Sequence, residues 1–351
     1  MSSPNLSQTT VDPQNSKRVA AIGIGTAGCS ILLHLSDYDI EIDSYHFLSC
    51  DKNDLSIAEK GERILIPLEI GGKVATGYVR GAALKSLYKI KHIIEGSEMV
   101  IVTTGLGGKV GSAIAPLVAE LCRDHSKKCL VIATMPFRFE GNRHFTAGVA
   151  LKRLKKLATG IIVIDNDEIL DNAPQAPILE SYRAINQKIG FALSRLLGGS
   201  EESGVAVDMH KFLETLGTGG YSLLEVADSS STNAPEDAVK RALKSICRRA
   251  NPESATRALL YMVGDEKLSS SDLCSSIDLV SGALGKGSPE IQYGFSSKQT
   301  STTTAILITV GYQSTRFDDY DPLSKILAGS EVDDAPETNL GVDLGDIVPL
   351  E

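Results

Sequence analysis

VAAIGIGTAG, residues 19–28, decides the fold, because a short apolar run ends there in a glycine loop, GIGTAG. This GxGxxG spacing, with Asp51 about twenty residues further on, is typical of the first strand-to-helix turn of a nucleotide-binding sheet. Backbone N–H groups of such a loop can approach a phosphate at the positive end of the following helix. The alternative is a tight turn that holds no ligand. The predicted binding residues here are Gly23, Gly25, Thr26, Ala27 and Gly28.

A second glycine loop, TGLGGKVGS at residues 104–112, follows another β-branched run. Its four glycines within seven residues form a flexible cradle of N–H groups at the start of a helix, which suits a polyphosphate. A dinucleotide enzyme does not need this loop, and we expect both loops at one edge of a parallel sheet. The predicted binding residues are Gly105, Gly107, Gly108, Lys109, Val110, Gly111 and Ser112.

The fold class is α/β, because β-branched runs alternate with longer amphipathic segments from Arg18 onward and so predict βαβ units. Strands are predicted at residues 19–23, 45–49, 63–66, 99–104, 129–134 and 161–165. Helices are predicted, from apolar spacing of about 3.6 residues, at 28–36, 80–95, 111–125, 142–157 and 178–198.

A second block of strands and helices predicts a smaller α+β domain, joined to the parallel-sheet domain by a long central helix. Its strands are predicted at residues 220–226, 258–263, 291–295 and 303–310, and its helices near 235–249 and 270–284. Residues 318–351 hold ten acids and one lysine, which predicts disorder. The predicted divisions are tails at 1–17 and 318–351, domains at 18–204 and 227–317, and a loop with a connecting helix at 205–226.

Composition limits the classes of partner. The 35 basic and 44 acidic residues leave a formal charge of -9, which disfavours a broad nucleic-acid or anionic-membrane surface. Six cysteines without a CxxC pair indicate reduced thiols. Residues 1–16 lack the basic and apolar parts of a secretory leader, and no apolar run reaches about 18 residues. We expect a cytoplasmic protein with no nucleic-acid partner and no direct membrane insertion.

The second loop and its helix resemble a known family. TGLGGKVGSAIAPLVAEL, residues 104–121, is similar to the GGGTGTG signature of the tubulin/FtsZ superfamily, in particular its FtsZ branch. Similar stretches extend from Lys17 to about Phe317. The resemblance implies a tubulin/FtsZ-like fold and a GTP-binding cytoskeletal protein that assembles with itself into head-to-tail filaments, with the nucleotide at the subunit interface. Residues 18–204 then form the domain that holds GTP or GDP, with or without Mg²⁺.

The resemblance also assigns the ribose and phosphate contacts. MPFRFEGNRHF, residues 135–145, is similar to the family segment PFxFEGxxR and implies that Glu140 holds the ribose hydroxyls. The family arginine falls at His144 in this chain, and Arg143 comes one position earlier, so both are candidates for phosphate contact. The structural alternative for Glu140 is a solvated surface acid.

Two further segments imply the purine contacts. IVIDNDEIL, residues 162–170, resembles ITIPNDxLL and assigns Asn166 to the purine. ESYRAINQKIG, residues 180–190, resembles the helix whose aromatic residue stacks on the base, which assigns Tyr182 and Asn186. An asparagine amide offers a donor and an acceptor together, which suits a guanine edge. The alternatives are a turn role for Asn166 and a core role for Tyr182.

The hydrolysis loop departs from the family pattern. In the family a loop of the next subunit supplies an Asn and two Asp residues; here Asp208 keeps the first acid, Ala206 replaces the Asn and Lys211 replaces the second acid. A positioned carboxylate contributes roughly 10² to 10⁴ in rate, so we expect GTP hydrolysis that needs assembly and is slow or lost. The alternative for Asp208 is a helix N-cap.

The phosphate loop departs as well. Residues 109–113 read KVGSA where the family reads GTGTG, so one hydroxyl near the expected magnesium position is missing. We hypothesise that Lys109 partly replaces the electrostatic role of the metal. The alternative is a solvent-facing lysine.

Two other functions remain open. One is an NAD-dependent oxidoreductase with Asp51 on the ribose, and the other is a nucleotide-bound scaffold that does not polymerise. A short apolar cluster at residues 340–351, LGVDLGDIVPLE, is predicted to dock on a membrane-tethering or division partner. The alternative is an inert solubilising tail.

Overall fold

The computed structural model describes residues 18–38, 40, 42–68, 75–167, 175, 177–197, 204–205, 207, 209–217, 219–231, 233–285, 289–297 and 301–321. The N-terminal half is built on parallel strands in the order β3-β2-β1-β4-β5-β6. These strands are β1 Val19–Ile24, β2 Ser44–Ser49, β3 Glu62–Leu65, β4 Met99–Gly105, β5 Lys128–Met135 and β6 Gly160–Asp165. All six predicted strands are confirmed to within two residues at each end.

Helices cover both faces of this sheet, as expected when parallel strands are joined by crossovers. They are α1 Gly25–Ser36, α2 Lys52–Ser56, α3 Thr76–Lys85, α4 Leu87–Glu95, α5 Lys109–Asp124, α6 Gly141–Leu157 and α7 Ile178–Leu197. Apolar side chains of α1 and α7 pack on one face, and those of α3 to α6 pack on the other. The predicted single helix at 80–95 is wrong, because the chain forms two helices that separate at Ser86.

The 20-residue helix α7 lies between the two halves of the molecule. Its Ile185 and Ile189 face Ile164 of β6 on one side and Leu224 and Val226 of the second half on the other. The predicted long central helix is therefore confirmed as part of the fold class. Residues 205–226 contain a shorter helix of eight residues instead.

The second half continues the sheet as a mixed one. Its elements are β7 Gly204–Val205, α8 Met209–Leu216, β8 Tyr221–Ser229, α9 Ala234–Cys247, β9 Arg257–Gly264, α10 Ser270–Leu284, β10 Glu290–Ser297 and β11 Thr303–Tyr312. β8 joins β6 in parallel through Ile162–Ser222 and Val163–Leu223, and the order continues β8-β11-β9-β10-β7. Within this half, the fully buried Arg249 follows α9 and pairs with Glu225 of β8 at 2.6 Å.

A turn at Arg316–Tyr320 follows β11 and packs against α6 of the first half. The predicted tail boundary at residue 318 falls inside this packed turn. The exact domain divisions stay a prediction, and residues 1–17 and 322–351 lie outside the described residues. Within the described part of the chain, no helix has the length and apolar character needed to span a bilayer.

Candidate nucleotide-binding site

The two glycine loops lie side by side at the carboxyl edge of the parallel sheet. β1 and β4 are neighbours, paired from Val19–Met99 to Ile24–Thr104, and each runs directly into its loop. A cavity of about 220 Å³ opens between the loops. The strand order reverses between β1 and β4, which is where sheets of this kind bind ligands.

Most of the predicted binding residues line this one cavity. They are Gly25, Thr26, Ala27, Gly105, Gly108, Lys109, Val110, Gly111, Glu140, Arg143, Asn166 and Tyr182. Ile24, Leu106, Thr134 and Pro136 also line it and were missed from the sequence. The available signal was the predicted strand ending near Thr134, because the carboxyl ends of neighbouring parallel strands share one edge. The predicted residues outside the lining are Gly23, Gly28, Asp51, Gly107, Ser112, His144 and Asn186, and their contact with a ligand stays a prediction.

Two of the glycines allow the helices to begin against strand β4. A Cβ atom on Gly28 would lie 2.2 Å from the Thr103 carbonyl oxygen, and one on Gly111 would lie 2.2 Å from the Gly105 carbonyl oxygen. A Cβ atom on Gly108, by contrast, would meet nothing within 4 Å. Gly28 and Gly111 therefore hold the loops in place, whereas Gly108 leaves room at the cavity.

Ser112 closes the second loop. Its Oγ accepts a hydrogen bond from the Gly107 N–H at 2.9 Å, and Gly107 has a φ of +87°, which favours glycine. The Leu106 N–H donates to the Thr134 carbonyl at 2.9 Å and ties the loop to β5. The exposed Lys109 is the first residue of α5, so it brings positive charge to the rim of the cavity.

An ion pair beside the second glycine loop forms another wall of the cavity. Arg143 Nη1 donates to Glu140 Oε1 at 2.6 Å, and the Phe137 N–H donates to Glu140 Oε2 at 3.1 Å. His144 turns elsewhere: its Nε2 donates to the Phe137 carbonyl at 3.0 Å and its ring stacks on Tyr320. The structure therefore brings Arg143, and not His144, to the cavity.

Asn166 and Tyr182 form the remaining wall. Asn166 is 6% exposed, and its Oδ1 has no hydrogen-bond partner among the described residues. The Tyr182 ring meets the Phe137 ring edge-on at 5.1 Å, and burial together with the nearby Glu140 charge raises the pKa of Tyr182, so its hydroxyl stays protonated. A buried amide oxygen without a partner is destabilising, so this atom marks a place for a hydrogen-bond donor from a ligand.

Asn186 and Asp51 make contacts within the chain. Asn186 is buried, and its Nδ2 donates to Ser30 Oγ on α1 at 2.8 Å. Asp51 is exposed and accepts a hydrogen bond from the Asn53 N–H at 2.8 Å, which caps α2. Asp51 thus serves local structure in this conformation.

The hydrolysis segment lies at the other edge of the parallel sheet. A Cβ atom on Gly160, where β6 begins, would lie 2.8 Å from Leu216 Cβ of α8, whereas β6 ends beside Asn166 at the cavity. The length of β6 is roughly 16 Å at about 3.3 Å per residue. Lys211 is exposed on α8, and Asp208 and Ala206 lie outside the described residues. Lys211 therefore does not share a cavity with the glycine loops of its own chain.

Comparisons with known proteins agree with this geometry. Residues 18–174 match the model of the Tubulin/FtsZ family, GTPase domain. The cell division protein FtsZ 1 of Pyrococcus horikoshii is 30% identical over 258 residues, which cover 72% of this chain and 69% of the relative. The cell division protein FtsZ 1 of Methanocaldococcus jannaschii is 27% identical over 312 residues, which cover 86% of this chain and 85% of the relative.

Solved structures share the fold. An empty FtsZ dimer from M. jannaschii has a TM-score of 0.77 at 25% identity, covering 88% of this chain and 92% of that one. CetZ2 from Haloferax volcanii, a GTPγS-bound protofilament, has a TM-score of 0.73 at 20% identity, covering 89% and 100%, and shows likeness of fold alone. The fold class is thus the tubulin-like one, with a parallel sheet whose glycine loops face a common cavity. The chain belongs to the Tubulin/FtsZ family, so the resemblance inferred from the glycine loops is confirmed.

Proposed function

We propose that this chain binds GTP or GDP in the cavity between its two glycine loops. The observation that carries the proposal is the buried Asn166 Oδ1, which lacks a partner among the described residues and lines the same cavity as both loops. A guanine edge offers the donor that this oxygen needs. The Tyr182 ring provides an aromatic surface for the base, and Glu140 provides an acceptor for ribose hydroxyls.

The phosphate end relies on backbone N–H groups and on two cations. Lys109 and Arg143 both line the cavity, and charge-assisted contacts to phosphate are stronger than neutral ones. The one carboxylate of the lining, Glu140, is already paired with Arg143. No group of three or more His, Cys, Asp or Glu residues in the described ranges could hold a metal ion. Mg²⁺ at nucleotide sites is held largely by phosphates and water, so Mg²⁺ stays part of the proposal, and Lys109 adds positive charge beside the phosphates.

The proposal extends to head-to-tail assembly with itself. The cavity edge exposes Phe139 and Leu179, which are 61% and 73% accessible, while the α8 edge exposes Val205 and Tyr293, which are 44% and 49% accessible. Contact between two different surfaces of identical subunits extends into a filament when the rotation between successive copies does not close a ring. In such a filament, the neighbouring copy would cover the cavity of about 220 Å³ and enclose the bound nucleotide.

Hydrolysis in such a filament is expected to be slow or absent. The α8 edge of the next copy would bring Lys211 toward the phosphates where relatives carry an acid. A protonated lysine cannot act as a base, although it can pair with a phosphate across the interface. The chain would then be a weak GTPase that needs assembly, or a filament former without turnover.

Titration calorimetry with GTP, ATP and NAD tests the ligand. We expect heat with GTP and much weaker binding of ATP and NAD, whereas tight NAD binding alone would support the oxidoreductase alternative. Right-angle light scattering and sedimentation at several micromolar protein test assembly. Growth of scattering only with GTP supports filaments, and GTP binding with flat scattering supports the non-polymerising scaffold.

A cellular role in division is the further part of the proposal, because the relatives named above are cell division proteins. Residues 340–351, outside the described part of the chain, would dock on a membrane-tethering or division partner from the cytoplasm. Deleting them should disperse a localised protein without changing GTP affinity. Unchanged localisation would count against the docking role.

A further inference from the structure

The turn Arg316–Tyr320, named here the C-terminal strap, crosses back onto the nucleotide-binding half after strand β11. Thr315 and Asp318 cap the turn with two hydrogen bonds, of 3.3 Å from the Phe317 N–H to Thr315 Oγ1 and 2.6 Å from the Thr315 N–H to Asp318 Oδ2. The Phe317 side chain is fully buried. Gly148 of α6 has no room for a Cβ atom, which would lie 2.9 Å from the Tyr320 carbonyl carbon. The strap is therefore closely packed on α6.

Arg316 of the strap holds the two carboxylates that flank Asn166. Its Nη2 lies 2.5 Å from Asp165 Oδ2 and 3.1 Å from Asp167 Oδ2, and both acid side chains are at most 2% exposed. Burial raises the pKa of Asp165, and the Arg316 charge opposes that rise. Removing the guanidinium would leave two neighbouring buried acids without this partner, and the turn that carries Asn166 would relax.

A second chain of contacts leads from the strap to Tyr182. The Tyr320 ring stacks on His144 with centroids 4.0 Å apart and planes 6° apart. His144 Nε2 donates to the Phe137 carbonyl at 3.0 Å, and the Phe137 ring packs edge-on against Tyr182. The strap thus supports both side chains that face the purine end of the cavity, through separate contacts.

We propose that Arg316 and Tyr320 are positioning residues for base recognition, so that the strap sets the preference for guanine. This inference rests on the proposed nucleotide site. Neither residue lines the cavity. Arg316 pairs with the two acids next to Asn166 in sequence, and Tyr320 reaches Tyr182 only through His144 and Phe137. The two loops of the phosphate end are held instead by Ser112 and by the close approach of Gly28 and Gly111 to β4. Losing the strap contacts should therefore weaken the grip on the base and leave the grip on the phosphates unchanged.

The test compares nucleotides that share phosphates and differ in the base. Wild type and Arg316→Gln are titrated with GTP, with ATP and with inorganic tripolyphosphate, which has no base. We expect Arg316→Gln to weaken the affinity for GTP about tenfold and to leave the affinity for tripolyphosphate unchanged. The ratio of GTP affinity to ATP affinity should fall by the same factor. Arg316→Lys, which keeps a positive charge near the acids, should recover part of the loss. The matched control is Arg241→Gln, since Arg241 bonds a backbone carbonyl, that of Asp228, in the second half.

The outcomes separate the inference from the proposed function. If the wild type prefers GTP and Arg316→Gln keeps the same GTP-to-ATP ratio, the inference is wrong and the nucleotide site stands. If tripolyphosphate affinity falls in parallel with GTP affinity, Arg316 does not act on base recognition specifically and the inference is wrong. If the wild type binds no GTP, both are overturned.

Two further measurements do not depend on the folding of that variant. Tyr320→Leu removes the stack on a half-buried ring, and we expect the same loss of guanine preference to a smaller degree, about threefold. In the unmodified protein, GTP should slow hydrogen exchange of the strap amides, because coupling between two sites is reciprocal. Exchange that is identical with and without saturating GTP would overturn the inference.

Discussion

The side of the cavity proposed to hold the phosphates (the phosphate side) and the side proposed to hold the base (the purine side) are built from different kinds of parts. The phosphate side consists of two glycine loops that directly follow the neighbouring strands β1 and β4. The purine side consists of side chains from separate elements, Asn166 after β6 and Tyr182 on α7, and it is braced by Arg316 from the far end of the fold. We therefore expect the binding of phosphate to depend on local sequence and the choice of base to depend on long-range packing.

The largest expected effect tests the packed glycines of the phosphate side. Gly111→Ala places a Cβ atom against the Gly105 carbonyl oxygen, and we expect it to lower the free energy of unfolding by about 3 kcal/mol. Gly108→Ala is the matched control, because its Cβ atom meets nothing within 4 Å, and it should change stability by about 0.5 kcal/mol or less. Urea unfolding followed by circular dichroism measures both. Equal losses of unfolding free energy in the two variants would show that the close approach of Gly111 to the Gly105 carbonyl does not determine the conformation of the loop.

The next effect concerns the α8 edge, which meets the phosphate side only in an assembly. Ala206→Asn with Lys211→Asp restores the family pattern, and we expect the rate of phosphate release from GTP to rise about 100-fold. Lys244→Asp, at an exposed lysine of α9, makes the same change of charge as Lys211→Asp and should leave the rate unchanged. The rate per molecule should also grow with protein concentration. If the variant releases phosphate at the wild-type rate, the replacements at residues 206 and 211 do not explain the expected slow hydrolysis.

A smaller effect is expected for the charge at the rim. Lys109→Ala should weaken the affinity for GTP, measured by titration calorimetry, about tenfold, since it removes one charge-assisted contact to phosphate. Lys152→Ala is the control, because Lys152 is exposed on α6 and does not line the cavity. If chelating Mg²⁺ lowers wild-type affinity strongly while Lys109→Ala changes it little, Lys109 does not take over the role of the metal.

The smallest expected effect is that of removing the Asp51 carboxylate, and it distinguishes a GTP-binding protein from an NAD-dependent enzyme. Asp51 caps α2, so Asp51→Ala should lower the free energy of unfolding by about 1 kcal/mol and leave GTP affinity unchanged. Asp51→Asn is the control, since an asparagine caps a helix nearly as well. A binding loss confined to NAD, in a wild type that binds NAD, would instead favour the dinucleotide enzyme.

The same contrast explains what the sequence could predict. The strands, the central helix and both glycine loops follow from apolar periodicity and from glycines next to strand ends, which are local signals. His144 occupies the position where the family has an arginine, yet its ring stacks on Tyr320, a partner more than 170 residues away that no local pattern indicates. Residues 318–320 of the strap fall in the predicted acidic tail, because the caps and ion pairs that hold the strap in place are side-chain contacts with no local sequence pattern. The split at Ser86 was missed since apolar spacing continues through it.

The most direct test of the central claim is the identity of the nucleotide that accompanies the protein through gentle purification. The protein is denatured, and the released small molecules are separated by ion-pair chromatography and identified by mass spectrometry. We expect GDP or GTP at close to one per chain, and markedly less in Asn166→Leu, which cannot accept from a guanine edge. Recovery of NAD or an adenine nucleotide, or of no nucleotide from protein that also fails to bind added GTP, would contradict a guanine nucleotide in this cavity.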